Sequence, residues 1–330
     1  MNPTLFNQNT YSDLSSRAKQ LTKQTAIRLN YFLGNYQKVV WLVGDGRSGT
    51  TWVSNLINWH GNYREMFEPF HPPLVSGLES FQMHHYLRAD HAAPHEVAVL
   101  ESIFSGRFYH ERPDALNKRL LYKGLLIKDI FANLLIAWVN QNIPHVKPVF
   151  VIRNPFAVAL SKQKRTRGVW MTDPSDFLSQ PALVDDYLAP FREVIERVGN
   201  DFIEKQILIW SIIHYVPFRQ LELGDVYVLF YEDLFDEPEK ELVNLFTYLF
   251  ESPSVTLGPE LLAKIRKPSQ TPGKDNNIIL GKSPIETWKD ELSSAQIDRG
   301  MDILSHFGLD KVYGTSSRPD KTFVENFISR

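Results

Sequence analysis

Between residues 39 and 59 the chain passes from an unbroken apolar run, Val39-Val-Trp-Leu-Val43, through Gly44-Asp-Gly-Arg-Ser-Gly-Thr-Thr51, into a helical pattern from Thr50 to Trp59. A short apolar run closed by glycine predicts a strand buried on both faces, the kind found in parallel sheets. A glycine-rich turn that opens a helix aims backbone N–H groups and the positive helix end at an anion. Its glycines let the backbone come close to that anion. The ordinary nucleotide-hydrolysing loop needs a lysine after its second glycine. Here Thr50 holds that place, and the cation is Arg47, inside the loop. The segment therefore predicts a phosphate site without the lysine that serves ATP chemistry.

The rest of the chain fits the same architecture. Leu125-Leu-Ile127 predicts a strand followed by a helix over 130–142. Val149-Phe-Val-Ile-Arg153 predicts another strand, with Asn154-Pro155 starting the next helix, proline at its first position. Val226-Tyr-Val-Leu-Phe-Tyr231 is a further strand, and the acidic turn at Glu237-Pro238 opens a helix carrying Leu242, Leu245, Phe246 and Leu249. Strands alternating with helices predict a parallel sheet flanked by helices on both sides. Residues 71–120 and 168–200 are the least regular and are expected to be insertions around the sheet. Prolines and glycines at 268–284 predict a long loop.

A second basic cluster begins at Arg153. Ser161 lies eight residues on, about two turns into the next helix, and Arg165 is four further on the same face. Two arginines and a hydroxyl can chelate a phosphate dianion through charge-assisted bonds. The neighbouring Lys162, Lys164 and Arg167 are read as a solvated basic face. Two phosphate sites, in this order and on these elements, are more specific than either alone.

Gly46-Arg-Ser-Gly-Thr-Thr-Trp52 resembles the phosphosulfate loop of sulfotransferases that use 3′-phosphoadenosine 5′-phosphosulfate (PAPS). The Arg153/Ser161 pair resembles that family's 3′-phosphate motif, and Tyr231-Glu-Asp-Leu234 its segment near the adenine. The resemblance implies a P-loop-like three-layer α/β sandwich, with helical and loop insertions for the acceptor, over residues 39–330 as a single domain. Residues 1–38 are then an N-terminal helical extension. It implies PAPS as donor, its 3′,5′-diphosphate PAP as product, and no metal. Arg47, Ser48, Gly49, Thr50 and Thr51 take the loop's contacts, with Trp52 near the adenine. Gly281-Lys282-Ser-Pro and Trp288 resemble the C-terminal loop that closes over the nucleotide, with Lys282 as a phosphate contact.

Three groups are assigned to the chemistry. Glu68, in Met66-Phe-Glu-Pro-Phe70, resembles the glutamate base of the tyrosylprotein, bacterial and carbohydrate branches. Phe67, Pro69 and Phe70 are expected to desolvate it and raise its pKa. A structural carboxylate paired with Arg64 or another cation is the alternative, Glu65 is its nearest rival, and His71 is a candidate assistant. Lys128, in Leu126-Ile-Lys-Asp-Ile130, resembles the lysine that contacts the transferring group in the tyrosylprotein branch, and Arg47 would stabilise the leaving phosphate.

Composition removes other classes. The chain has no cysteine, so disulfides, thiolate metal sites and a cysteine nucleophile are excluded. A formal charge of −2 provides no global attraction for nucleic acid. Six of the ten histidines fall in 71–110; His91 and His95 have helical spacing but no third ligand of matching pattern, so the cluster is read as acceptor-pocket lining. Phe67, Phe70, Tyr86 and Trp170 suggest that this pocket is partly apolar, suited to a small-molecule, glycan or lipid acceptor offering a hydroxyl or an amine. No apolar run nears the roughly 18–20 residues of a membrane span, and Met1–Gln20 is polar, so a cytoplasmic enzyme is expected. Residues 12–36 predict an amphipathic helix, with Leu14, Ala18, Leu21 and Ala26 near one face, packed on the domain edge. Since Asp13 and Asp45 are the only acids before Arg64, contact with a membrane surface is an alternative, not the favoured one. Against sulfuryl transfer stand a P-loop phosphotransferase or kinase and a catalytically inactive nucleotide-binding protein.

Overall fold

The computed structural model describes residues 20–165, 169–251, 256–265 and 283–328. It opens on helix α1, seen over 20–32. Five strands follow at intervals: β1 (Val39–Gly44), β2 (Tyr63–Phe67), β3 (Gly124–Asp129), β4 (Val146–Ile152) and β5 (Tyr227–Phe230). They form one parallel sheet in the order β2-β3-β1-β4-β5. Between them lie α2 (Thr50–Ile57), α3 (Pro94–Phe104), α4 (Ile136–Asn142), α5 (Pro155–Gln163), α6 (Pro181–Leu183), α7 (Arg192–Arg197) and α8 (Phe202–Gln220). After β5 come α9 (Tyr231–Asp236), α10 (Pro238–Phe250), α11 (Pro259–Ile265), α12 (Thr287–Glu291), α13 (Ser294–His306) and α14 (Lys321–Ile328).

The alternation within β1 explains the layers. Val39, Trp41 and Val43 join one buried cluster with residues of α4, α5, α8 and α13, while Val40 and Leu42 join a second with residues of α2 and α10. A strand that buries both faces needs apolar residues at every position, which is why its sequence is continuous rather than alternating. The chain is therefore a three-layer α/β fold, as its pattern of elements predicts.

The sequence differs from the structure in its element ends. Tyr231 begins α9 instead of ending β5, α2 stops at Ile57, and a single 3-10 turn (Asn133–Leu135) precedes α4. Such ends depend on local hydrogen bonding that periodicity does not report. In α1, Ile27 and Asn30 are buried, and Leu21 faces solvent at 63% exposure, opposite to expectation. Leu14 and Ala18 lie outside the described residues.

Strand register sets the functional edge. Gly44 pairs with Val151, Val43 with Asp129, and Phe67 with Lys128. A Cβ at Gly44 would sit 2.4 Å from the Val151 carbonyl oxygen, so only glycine lets β1 leave the sheet beside β4. Glu68, Lys128, Asp45, Arg153 and Tyr231 consequently share the C-terminal edge of five strands, where open parallel sheets bind their ligands.

Candidate active site

The loop after β1 takes its shape from two residues with left-handed backbone, Arg47 (φ 73°) and Gly49 (φ 90°). Gly49 caps α2, receiving the amides of Trp52 and Val53 on its carbonyl. A Cβ there would meet Tyr231 Cδ2 at 2.5 Å, so glycine serves both the turn and the close approach of α9. Ser48 and Thr50 are buried, and the Ser48 hydroxyl has no protein partner.

Beneath the loop lies a buried ion pair. Lys162 Nζ donates to both Asp45 oxygens, at 2.7 and 2.8 Å, and to Gln206 Oε1 at 3.0 Å. Gln206 in turn donates to the Met171 carbonyl. Burial pushes the Asp45 carboxyl upward against the pull of Lys162 and the Gly46 amide. The expectation of a solvated Lys162 is thus corrected. Residues Pro155–Leu160 are all buried, so α5 runs through the interior and carries Lys162 with it.

Arg47, Ser161 and Arg153 meet, although the sequence assigns Arg47 to one anion site and Arg153 with Ser161 to a second, separate one. Arg47 Nε donates to Ser161 Oγ at 3.0 Å. Arg153 donates to the Arg47 carbonyl and to the Pro284 carbonyl, both at 2.8 Å, while its Nε has no protein partner. Burial, then the charges of Arg165 and Arg153, lower the Arg47 guanidinium to about 10. Three arginines gathered this closely make a site short of negative charge. The Arg153 guanidinium lies over the Tyr231 ring, 4.3 Å from its centroid, and Tyr231 meets Trp52 edge-on at 5.6 Å. Lys282 falls outside the described residues. Trp288, in α12, is buried and stacks on Phe156 at 4.8 Å.

Across β1, Glu68 and Lys128 form an ion pair: Lys128 Nζ donates to Oε1 at 2.7 Å. Arg112 was not foreseen. It donates to Glu68 Oε2 at 2.7 Å and to the Glu68 carbonyl at 3.0 Å. Burial raises the Glu68 pKa, but Lys128 and Arg112 outweigh it, and the carboxyl ends below its usual range. This reverses the expected upward shift. The flanking aromatics do desolvate it, yet two cations at hydrogen-bond distance dominate. Arg112 sits in an irregular segment with no motif, so sequence carried no signal for it.

Glu68 has a left-handed backbone (φ 52°), and its amide donates to the Lys128 carbonyl. Asp129 holds this turn: its two oxygens accept from the amides of Phe70 and Phe131. Burial lifts Asp129 to about 7. Arg64 is fully engaged with Asp114 and is no partner of Glu68. Glu65 accepts from Ser54 Oγ at 2.6 Å instead, and burial raises its carboxyl against the pull of that hydroxyl and of Lys128, while Lys128 Nζ donates to Glu68. His71 is buried edge-on to Phe131 with an unpartnered Nδ1, and burial lowers its pKa. Of the expected acceptor aromatics, Phe67 holds Lys128 Nζ 4.2 Å from its centroid, and Trp170 lies near Gly46. Phe70 and Tyr86 belong to the core instead.

A model of the sulfotransferase domain matches residues 37–304. The chain belongs to the sulfotransferase family. Its class is thereby the PAPS-dependent transfer of a sulfuryl group. No curated protein matches it. Among solved structures it is similar to the sulfotransferase domain from the curacin biosynthetic pathway, at 15% identity over 81% of this chain and 96% of that one, TM-score 0.43. It is also similar to the sulfotransferase domain of the Synechococcus PCC 7002 olefin synthase, at 18% identity over 82% and 94%, TM-score 0.36. Among the described residues no group of three metal-ligating side chains converges, and no helix is long and apolar enough to cross a membrane.

Proposed function

We propose that this sulfotransferase binds PAPS between the β1 loop and the Arg153 strand end, and passes the sulfuryl group to an acceptor hydroxyl or amine held against Glu68 and Lys128. The observation that carries the reading is the cluster of Arg47, Arg153 and Arg165 around Ser161, where a buried Ser48 hydroxyl and the Arg153 Nε lack protein partners. Buried polar groups are nearly always satisfied, so these orphans suit an anionic ligand, and the residues present fit a nucleotide with two separated phosphates. Ser48, Gly49, Thr50 and Thr51 would cradle the 5′-phosphosulfate. Arg153, Ser161 and Arg165 would hold the 3′-phosphate, with Trp52 and Tyr231 beside the adenine.

When bound, PAPS supplies the sulfuryl group and leaves as PAP. The protein's own part is charge and position. Glu68, ionised at neutral pH, receives the acceptor proton on a carboxylate oxygen. A base with a lowered pKa suffices, because the acceptor proton grows more acidic as its oxygen or nitrogen bonds to sulfur. Lys128, which donates to Glu68 Oε1, would neutralise the non-bridging sulfuryl oxygens. Arg47 stabilises the leaving phosphate. Asp129 and Arg112 position Glu68. Acceptors among small molecules, glycans and lipids all fit this chemistry.

Calorimetric titration with PAP tests the donor site. The expected result is PAP retention without magnesium, weakened at least about tenfold by Arg153→Ala, since a charge-assisted bond contributes about 1.5–3 kcal/mol. Magnesium-dependent ATP binding with no PAP retention would overturn the reading in favour of a phosphotransferase. Retention of PAP with no sulfate-mass gain on any acceptor would leave only the donor half standing.

A further inference from the structure

Among the described residues twelve large apolar side chains are exposed, and five of them lie in or just after α1, with three more in the segment 115–123. In α1 they are not scattered. Leu21, Leu29 and Phe32 follow at i, i+8 and i+11 and share one face, opposite the buried Ile27 and Asn30. Phe32 is 81% exposed. Leu116, Leu120 and Leu121 supply the apolar side chains of the second segment. Asn30 joins the two: its Nδ2 donates to the Leu120 carbonyl at 2.6 Å, and its Oδ1 accepts from the Tyr122 amide at 2.8 Å.

Charge selects the partner. Residues 20–38 and 115–123 together carry Lys23, Arg28, Lys38, Lys118, Arg119 and Lys123, and no acid. All but Lys23 are exposed. The whole chain has a formal charge of −2, so this is a local concentration and not a general excess. A protein partner or a second copy of this chain would have to match apolar segments that carry cations and no acid of their own. An anionic bilayer offers both features at once: apolar depth for leucine and phenylalanine, and negative headgroups for lysine and arginine.

We propose that α1 and the 115–123 segment form a docking surface for an anionic lipid bilayer. The surface is continuous in sequence with the candidate site, since Arg112, which holds Glu68, precedes the segment by three residues. A groove of 590 Å³ adjoins it, lined by Leu116 and Arg119 from this segment and by Trp52 and Trp59 from α2 and its C-terminal turn. A membrane-docked chain would thus hold this groove near the lipid surface. The docking itself does not rest on the sulfotransfer reading.

The test is co-sedimentation of the full chain with vesicles of phosphatidylcholine alone and of phosphatidylcholine mixed with phosphatidylglycerol, at low and high salt. Binding to the mixed vesicles is expected to exceed binding to the neutral ones by about tenfold or more, and to fall with salt. Phe32→Ser combined with Leu33→Ser, and separately Leu120→Ser combined with Leu121→Ser, should each weaken partition about tenfold with unchanged urea midpoints. Equal binding to both vesicle types, no binding to either, or partition indifferent to both double variants overturns the proposal. So does a dimer in sedimentation velocity that the Phe32/Leu33 pair dissolves, which would assign the face to a second copy.

Discussion

The Asp45–Lys162 pair offers the sharpest test of how the candidate donor loop is held. Both side chains are at most 2% exposed, and Lys162 makes three hydrogen bonds of 2.7–3.0 Å. Lys162→Met keeps the stem and removes the charge, leaving Asp45 facing an apolar methyl group. Breaking a buried pair from one side costs about 3–5 kcal/mol, because the remaining charge has lost its compensation. With m near 3 kcal/mol/M in urea, the unfolding midpoint should fall by about 1 M or more. Asp45→Asn, alone and with Lys162→Met, completes the cycle; coupling of about 2–3 kcal/mol is expected for groups in direct contact. Tryptophan fluorescence and far-UV circular dichroism should report the same transition. Since the loop rests on this pair, PAP retention should weaken in the single variants and partly return in the double. A loss below about 1 kcal/mol for Lys162→Met, where a surface cation typically contributes no more, would refute the reasoning.

Glu68→Gln should lower kcat by about 10²–10⁴-fold, the usual range for a general base, with PAP affinity unchanged; equal loss of both would make Glu68 a structural carboxylate. Because Arg112 helps hold the Glu68 carboxyl down, Arg112→Ala should move the acid limb of the kcat/KM profile to higher pH, and an unmoved limb would deny the coupling. Gly49→Ala should destabilise the chain by about 1–3 kcal/mol from backbone strain alone, added to the clash with Tyr231, and thermal unfolding would reveal it. For Asp129 the folded state binds its proton more tightly than the unfolded chain, so stability contributed by that proton is present at low pH and is lost as pH rises toward about 7. Asp129→Asn should flatten the stability profile between pH 4 and 7, and an unchanged slope would reject the assignment.

Much of this was legible from residue order because the carriers of the signal are local. The apolar β1 run, the glycines after it, Arg47 in the place of the usual lysine, and Arg153 with Ser161 two turns on each follow from backbone geometry within a few residues. They were sufficient for the three-layer α/β fold and for bringing Arg47, Arg153 and Ser161 to one sheet edge. The order of the strands, and which side chains meet, follow from tertiary structure alone. Glu68 and Lys128 are sixty residues apart in sequence, and only the β2–β3 register sets one against the other. Arg112 reaches Glu68 from an irregular segment, and its charge, with that of Lys128, reverses the effect that burial alone would have on the Glu68 carboxyl. Lys162 looks like a surface lysine until α5 is seen to run through the interior. Leu21 looks like a core residue until Ile27 and Asn30 take the buried face of α1. In each case the sequence specifies the chemical group, whereas desolvation and proximity, which govern its behaviour, exist only once distant segments are packed together.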